Sequence, residues 1–177
     1  MKKMLIGFFV AAVLVAGCEK QEQQKSAQPP FSGPVQSQGE LQGKISILQD
    51  MVRQNPRDVR AWVQLGNLFM DTHRYQEAID AYQTSLELDP SNVDVRVDMG
   101  TCYRNIGQPR KAVEEYNKAI AINPGHINAH RNLGVVAAFD LKDRVLAVRE
   151  FEEYLRLAPD APDAAQVRQL LANLKAS

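Results

Sequence analysis

The strongest constraint on the fold is a period of about 34 residues that begins near residue 56. Prolines recur at intervals of 34, 34 and 35 residues, at Pro56, Pro90, Pro124 and Pro159. Twelve residues before each of the last three prolines stands an alanine, and an aromatic follows it four residues later: Ala78 and Tyr82, Ala112 and Tyr116, Ala147 and Phe151. A fixed period of this size is typical of a solenoid, in which similar units stack and contact only their neighbours.

A large apolar residue followed by glycine recurs at the same step, as Leu65-Gly66, Met99-Gly100 and Leu133-Gly134. These residues, with the alanines, aromatics and prolines, resemble the tetratricopeptide repeat (TPR). The second and third repeats depart from that pattern, because Arg96 and His130 stand where the family has tryptophan and the first repeat has Trp62. In the third repeat Ala137 also replaces an aromatic, and one extra residue lies in the inner turn around 141–143.

The resemblance implies an all-α fold, with two antiparallel helices in each repeat. We expect TPR 1 at 57–92, TPR 2 at 93–126 and a degenerate TPR 3 at 127–161. An apolar stripe at 40–56 predicts the second helix of an incomplete leading repeat, and 162–177 predicts a terminal capping helix. The prediction is about eight helices, no strands and a right-handed superhelical arch.

The periodic residues have physical roles in such a stack. Glycines and alanines let the two helices of a repeat approach closely, and the aromatic residues fill the space between neighbouring repeats. Each proline ends a second helix, because the residue before proline disfavours helical geometry. Ser91 and Asp94 have the spacing of a capping box at the start of the next helix.

The amino terminus has the pattern of a secretory signal. Lys2 and Lys3 precede thirteen apolar residues at 4–16, too few for a comfortable bilayer span of roughly 20 residues. The following residues, Val15-Ala16-Gly17-Cys18, resemble a bacterial lipobox. That resemblance implies cleavage of 1–17 and acylation of Cys18, which would anchor the protein to a membrane. An ordinary signal peptide or an uncleaved anchor is the alternative.

Residues 18–39 predict a tether between Cys18 and the repeats. The segment is rich in glutamine, proline and serine and has too few large apolar residues to offset the entropy of ordering. A spacer with contacts of its own is the alternative. In lipoproteins of this kind an aspartate after the cysteine favours inner-membrane retention, so Glu19 favours the outer membrane, facing the periplasm of a bacterial cell envelope.

Composition and motifs exclude several classes of function. Lys and Arg number 21 and Asp and Glu 21, so no basic excess is available for nucleic acid. Cys102 is the only cysteine besides Cys18, and we expect a small buried hydrophobe there. His126 and His130 have i, i+4 spacing, but no third ligand completes a metal site. We expect His73 and the pairs Glu114-Glu115 and Glu152-Glu153 to be solvated.

No nucleophile elbow, phosphate loop or cysteine–histidine dyad appears in the sequence, so we predict neither enzymatic activity nor a cofactor.

In TPR proteins the first helices line a concave face that binds peptides. The resemblance places the following residues there: Arg60, Gln64, Asn67, Asp71, Asp94, Asp98, Thr101, Arg104, Asn105, Asn128, Arg131 and Asn132. The apolar Val63, Met70, Val97, Val135, Ala138 and Phe139 lie among them. This mixed surface suits a protein or peptide segment better than a small molecule.

One partner class can be tested against the sequence. TPR proteins that hold the acidic carboxyl terminus of heat-shock chaperones use Lys, Asn, Asn, Lys and Arg as a clamp. The corresponding residues here are Val63, Asn67, Asp98, Asn128 and Asn132, and only Asn67 matches. Asp98 would repel a carboxylate, so we expect no such partner.

The first functional hypothesis is therefore a non-catalytic, lipid-anchored interaction scaffold. The second is an envelope assembly factor, similar to the TPR factors of cytochrome c maturation that hold the apoprotein tail, or to pilotins that escort a secretin ring. The third is an adaptor for cell-wall hydrolases.

Overall fold

The computed structural model describes residues 38–176, and the predictions for Cys18, the signal peptide and most of the tether lie outside that range. Within it the chain forms eight α-helices and no strand. Their bounds are α1 Gln38–Gln54, α2 Val59–Asp71, α3 Tyr75–Leu88, α4 Val93–Asn105, α5 Pro109–Ile122, α6 Ile127–Val135, α7 Arg144–Leu157 and α8 Ala164–Ala176. A π-helical turn, Val136–Leu141, extends α6. The predicted all-α TPR solenoid is confirmed.

Consecutive helices pack into three pairs, α2 with α3, α4 with α5 and α6 with α7. Helix α1 packs on α2, and α8 packs on α7, so the two outer helices cover the ends of the stack. The leading helix starts two residues before its predicted position. Each repeat thus contributes a first helix (α2, α4 or α6) and a second helix (α3, α5 or α7).

The first helices begin at side chains that cap their free N–H groups. Asp58 and Asn92 accept hydrogen bonds from Ala61 N and Val95 N, at 3.0 and 3.1 Å. The prediction of a capping box at Ser91 is wrong, because Ser91 bonds to Asp89 and Asn92 is the N-cap. The amide oxygen of Asn92 accepts the N–H of Val95, three residues further on, as an N-cap residue does.

Glycine is required where first and second helices cross. A Cβ atom added to Gly100 would lie 2.6 Å from Tyr116 Cε1, and one added to Gly134 would lie 2.7 Å from Phe151 Cε1. Gly66 faces Tyr82 in the same way. The three rings are fully buried, so the glycines set the distance between the helices of each repeat.

The departures at Arg96 and His130 preserve one contact. Trp62 Nε1 donates to the carbonyl of Pro56 at 2.9 Å, and Arg96 Nη2 donates to the carbonyl of Pro90 at 2.9 Å. His130 Nε2 lies 3.0 Å from the carbonyl of Pro124, so it makes the same contact in the third repeat. The repeat therefore requires a side-chain N–H at this position more than it requires an indole.

The second-helix residue that faces this position also differs between the repeats. Arg96 Nη1 donates to Glu115 at 3.2 Å, and His130 Nδ1 lies 2.7 Å from Glu150. The equivalent residue in the first repeat is Ala81, which is buried. The prediction that Glu115 is solvated is wrong, since Glu115 is only 6% exposed and pairs with Arg96 and Lys118.

The extra residue of the third repeat is accommodated in the π-helical turn. The inner turns of the first two repeats place His73 and Gly107 in the left-handed region, with φ of 59° and 74°. Lys142 takes that place in the third, with φ of 59°. There Asp143 N donates to Ala137 O at 2.8 Å, a bond that spans six residues. The inserted residue thus widens the last turn of α6 and leaves the start of α7 in register.

Candidate functional site

The first helices present one continuous surface, which we call the first-helix face. It consists of the twelve predicted polar residues: Arg60, Gln64, Asn67 and Asp71 on α2, Asp94, Asp98, Thr101, Arg104 and Asn105 on α4, and Asn128, Arg131 and Asn132 on α6. Contacts between repeats join these helices. Asp94 on α4 bonds to His126, the N-cap of α6, and Asn132 Nδ2 lies 3.5 Å from Thr101 Oγ1.

The amides and the hydroxyl of this face are partly used by the fold itself. Tyr82 OH donates to Asn67 Oδ1 at 2.7 Å, and Thr101 Oγ1 lies 3.2 Å from Tyr116 OH. Asn105 Nδ2 donates to the carbonyl of Thr101 at 2.9 Å. Burial raises the pKa of Tyr82 and raises that of Tyr116 to about 12, so both phenols stay protonated. These polar residues hold the buried rings in place.

Two arginines of this face form ion pairs with carboxylates of the same chain. Arg104 Nε donates to Asp140 Oδ2 at 2.5 Å, and Arg131 Nε donates to Asp163, which also accepts a hydrogen bond from Tyr154. The Tyr154 and Arg131 hydrogen bonds lower the pKa of Asp163. An anionic ligand would have to compete with these carboxylates.

The carboxylates of the face are less fully compensated. Asp71 and Asp98 form no ion pair with any residue in 38–176. Burial, together with the nearby charges of Asp94 and Asp71, raises the pKa of Asp98 to about 6. The face is therefore most negative where the first and second repeats meet.

His126 links this region to α6. Its Nδ1 accepts the N–H of Ala129 at 3.2 Å, so the proton of the neutral ring lies on Nε2. That nitrogen donates to Asp94 Oδ1 at 2.9 Å.

Apolar contact on the same face comes from the π-helical turn. Phe139 is 49% exposed there, beside Asp140. Val97, which the sequence placed among the lining residues, is buried and does not reach the surface. Asp140 and Asp163 could not be predicted as partners of the arginines, because they lie 36 and 32 residues away along the chain, on either side of the repeat length.

The histidines do not form a metal site. His126 faces Asp94, whereas His130 is buried between Glu150 and the carbonyl of Pro124. No group of three metal-ligating side chains occurs within 38–176. His73 is exposed at its turn, as expected, and Cys102 is buried, with its thiol pKa raised to about 12 by burial. Over the same residues, no helix has the length and apolar character needed to cross a bilayer.

Comparison with solved structures agrees with this architecture. A crystal structure of MamA superposes with a TM-score of 0.72 at 22% identity, covering 78% of this chain and 80% of that one. The first TPR of Spaghetti (RPAP3), bound to the HSP90 peptide SRMEEVD, gives a TM-score of 0.63 at 24% identity and covers 67% and 94%. Both likenesses concern the fold.

Family models give a closer assignment. No curated protein sequence matches the chain significantly. The model described as the cytochrome c-type biogenesis protein H TPR domain matches residues 20–165, which is most of the chain. TPR domains are protein–protein interaction modules, and the protein is a member of the family of cytochrome c-type biogenesis protein H TPR domains.

Proposed function

We propose that this protein is a non-catalytic scaffold that holds a segment of a client polypeptide on its first-helix face. The observation that carries the proposal is the group Asp71, Asp94 and Asp98, whose charges the described fold leaves largely uncompensated. Asp71 and Asp94 are exposed and Asp98 is half-buried, so these three like charges repel one another and a cationic ligand would stabilise them.

The client segment that fits this face is cationic and carries a large apolar side chain. Lysine or arginine would pair with Asp71 and Asp98, and Phe139 would contact the apolar residue. The HSP90 peptide bound by RPAP3 has the opposite charge, with two glutamates and an aspartate. The different charge of this face argues against an acidic client.

The family assignment supports one source for the client. Because the match is to a cytochrome c biogenesis domain, we propose an apocytochrome c polypeptide held before haem attachment. The chain itself would supply binding and orientation, and no residue here is assigned a chemical step. Secretin escort and hydrolase recruitment have no comparable observation in their favour.

The anchor is part of the proposal. The sequence Val15-Ala16-Gly17-Cys18 supports cleavage before Cys18 and acylation there, with the repeats held near the periplasmic face of the outer membrane. Several acyl chains on one residue would bind a bilayer durably, since one chain alone is marginal. Mass spectrometry of the mature amino terminus tests this directly. An unmodified Cys18, or retention of 1–17, would contradict it.

Binding is tested with a fluorescein-labelled apocytochrome c fragment that carries a Cys-X-X-Cys-His motif and a lysine-rich helix. We expect Asp98→Arg to weaken binding by about tenfold or more, since it replaces an attraction with a repulsion. Asp160→Arg, an exposed site in the α7–α8 turn, is the matched control. Affinity should also fall as salt is raised. Equal affinity of wild type and Asp98→Arg would exclude the first-helix face as the binding surface.

A further inference from the structure

Within residues 38–176, helix α1 lies at the amino-terminal end of the stack as a second helix without a first helix beside it. In each complete repeat the first helix packs against the equivalent face of α3, α5 or α7. Helix α1 packs on α2, the first helix of the following repeat. Within residues 38–176 its remaining face has no helix of its own repeat.

The 34-residue register identifies the side chains on this open face. Ala78, Ala81, Tyr82 and Ser85 of α3 correspond to Lys44, Ile47, Leu48 and Met51 of α1. All four residues of α3 are at most 3% exposed. In α1, by contrast, Ile47 is 63% exposed and Met51 is 42% exposed. Two large apolar side chains are thus left in solvent at positions that complete repeats bury.

These residues line an apolar groove. Its volume is about 430 Å³, and its apolar lining comes from Ile47, Leu48, Met51 and Leu68. Lys44, Gln64 and Asn67 supply its polar edge. Lys44 forms no ion pair with any residue in 38–176. The groove therefore combines an apolar floor with one uncompensated positive charge.

The later repeats show what covers a face of this kind. In the first two of them a first helix of thirteen residues lies there, with a glycine over the buried ring. The same register would place such a helix for α1 at 25–37. That stretch contains Pro29, Pro30 and Pro34, and proline inside a helix removes a hydrogen bond and clashes with the preceding turn. The chain's own sequence is thus a poor source for the missing helix.

We propose that the groove between α1 and α2 binds an amphipathic helix of a partner protein, which completes the leading repeat. That helix would present apolar residues at i, i+3 or i+4 and i+7 to Ile47, Leu48 and Met51. It would carry Asp or Glu to pair with Lys44, and a small residue where it crosses Leu48. This groove is distinct from the proposed site for the cationic client at Asp71 and Asp98, although Gln64 and Asn67 border both sites.

The test is site-specific photocrosslinking in the native host, with a benzophenone amino acid at position 47 of the full chain. Val145, which is 82% exposed on α7, is the matched control position. We expect an adduct at 47 at least tenfold more abundant than at 145, mapping to an amphipathic helix with an acidic residue in another protein. Lys44→Glu should reduce that adduct several-fold. Because positions 44 and 47 are both exposed, we expect neither substitution to disturb the fold.

Three results would overturn the inference. Crosslinks from position 47 to residues 19–37 of the same chain would show that the chain covers its own groove. Crosslinks to a second copy would show self-association. Equal or absent adducts at 47 and 145 would show that no helix docks there. Asp98→Arg should leave the adduct at 47 unchanged, so failure of the first-helix face and failure of this groove are distinguishable.

Discussion

The first and third repeats make the same contact between their helices with different chemistry. In the first repeat Trp62 lies near Ala81, and its indole N–H bonds to the carbonyl of Pro56. In the third, His130 is buried beside Glu150 and bonds to the carbonyl of Pro124. The first helix must therefore supply a donor to the proline carbonyl, and the second helix must supply a residue that matches this donor residue in size and charge.

The two solutions differ in how they tolerate change. The apolar pair leaves no charge behind when one member is altered. The polar pair is buried, with Glu150 facing one ring nitrogen of His130 and the carbonyl of Pro124 facing the other. Loss of one member then leaves a buried polar group without its partner.

The largest expected effect comes from breaking that buried pair. Glu150→Ala should lower the free energy of unfolding by about 3 kcal/mol or more, because it leaves His130 without its carboxylate and opens a cavity. Urea unfolding followed by circular dichroism measures this. The double variant His130→Trp with Glu150→Ala copies the first repeat and should recover to within about 1 kcal/mol of wild type. If the double variant is no more stable than Glu150→Ala, the two solutions are not interchangeable.

The next effect concerns the feature that all repeats share. Gly134→Ala should lower the free energy of unfolding by about 1–3 kcal/mol, since its Cβ would lie 2.7 Å from the buried ring of Phe151. Gly43→Ala in α1 is the control, because a Cβ there has no neighbour within 4 Å. That variant should gain up to about 1 kcal/mol from helix propensity. A similar response at both glycines would mean that the helices do not cross closely at Gly134.

The same comparison shows what the sequence could and could not predict. The period, the glycine–aromatic pairs and the prolines predicted the helices, because those residues are fixed by packing that repeats every 34 residues. Arg96–Glu115 and His130–Glu150 were missed, because each pair replaces the family pattern at two places that are far apart in sequence. The twelve polar residues of the first-helix face lie on α2, α4 and α6, but which of their charges are neutralised depends on contacts such as Arg104–Asp140 that follow no repeat.

The second repeat carries Asp98 on the first-helix face, and the effect of this residue on stability depends on pH. The pKa of Asp98 is raised to about 6 from an ordinary value of 3.8, mainly by burial. The folded protein therefore holds a proton that the unfolded chain releases between about pH 4 and 6, so wild-type stability falls as pH rises through that window. Asp98→Asn has no carboxyl group to ionise, so its stability should not fall as pH rises through this window. We expect the variant to be about 1–2 kcal/mol more stable than wild type at pH 7.5, after allowance for solvent screening, and equal to it near pH 4.

Urea unfolding at several pH values distinguishes this from a simple packing effect. A constant difference between Asp98→Asn and wild type across pH 4 to 7.5 would contradict a raised pKa. Binding should respond in the opposite sense, because a cationic client needs the ionised carboxylate. The affinity of wild type for such a client should therefore fall as pH is lowered through about 6.

The smallest expected effect concerns the inner turns, where the first and third repeats use His73 and Lys142 in place of the glycine of the second. A residue with a side chain pays a conformational penalty in the left-handed region that glycine avoids. Lys142→Gly should therefore raise the free energy of unfolding by about 0.5–1 kcal/mol, and Gly107→Ala should lower it by a similar amount. Both residues are exposed, so neither change alters core packing. If the π-helical turn already relaxes the third repeat, Lys142→Gly will give no gain while Gly107→Ala still costs stability, and the two turns will then differ in backbone strain as well as in length.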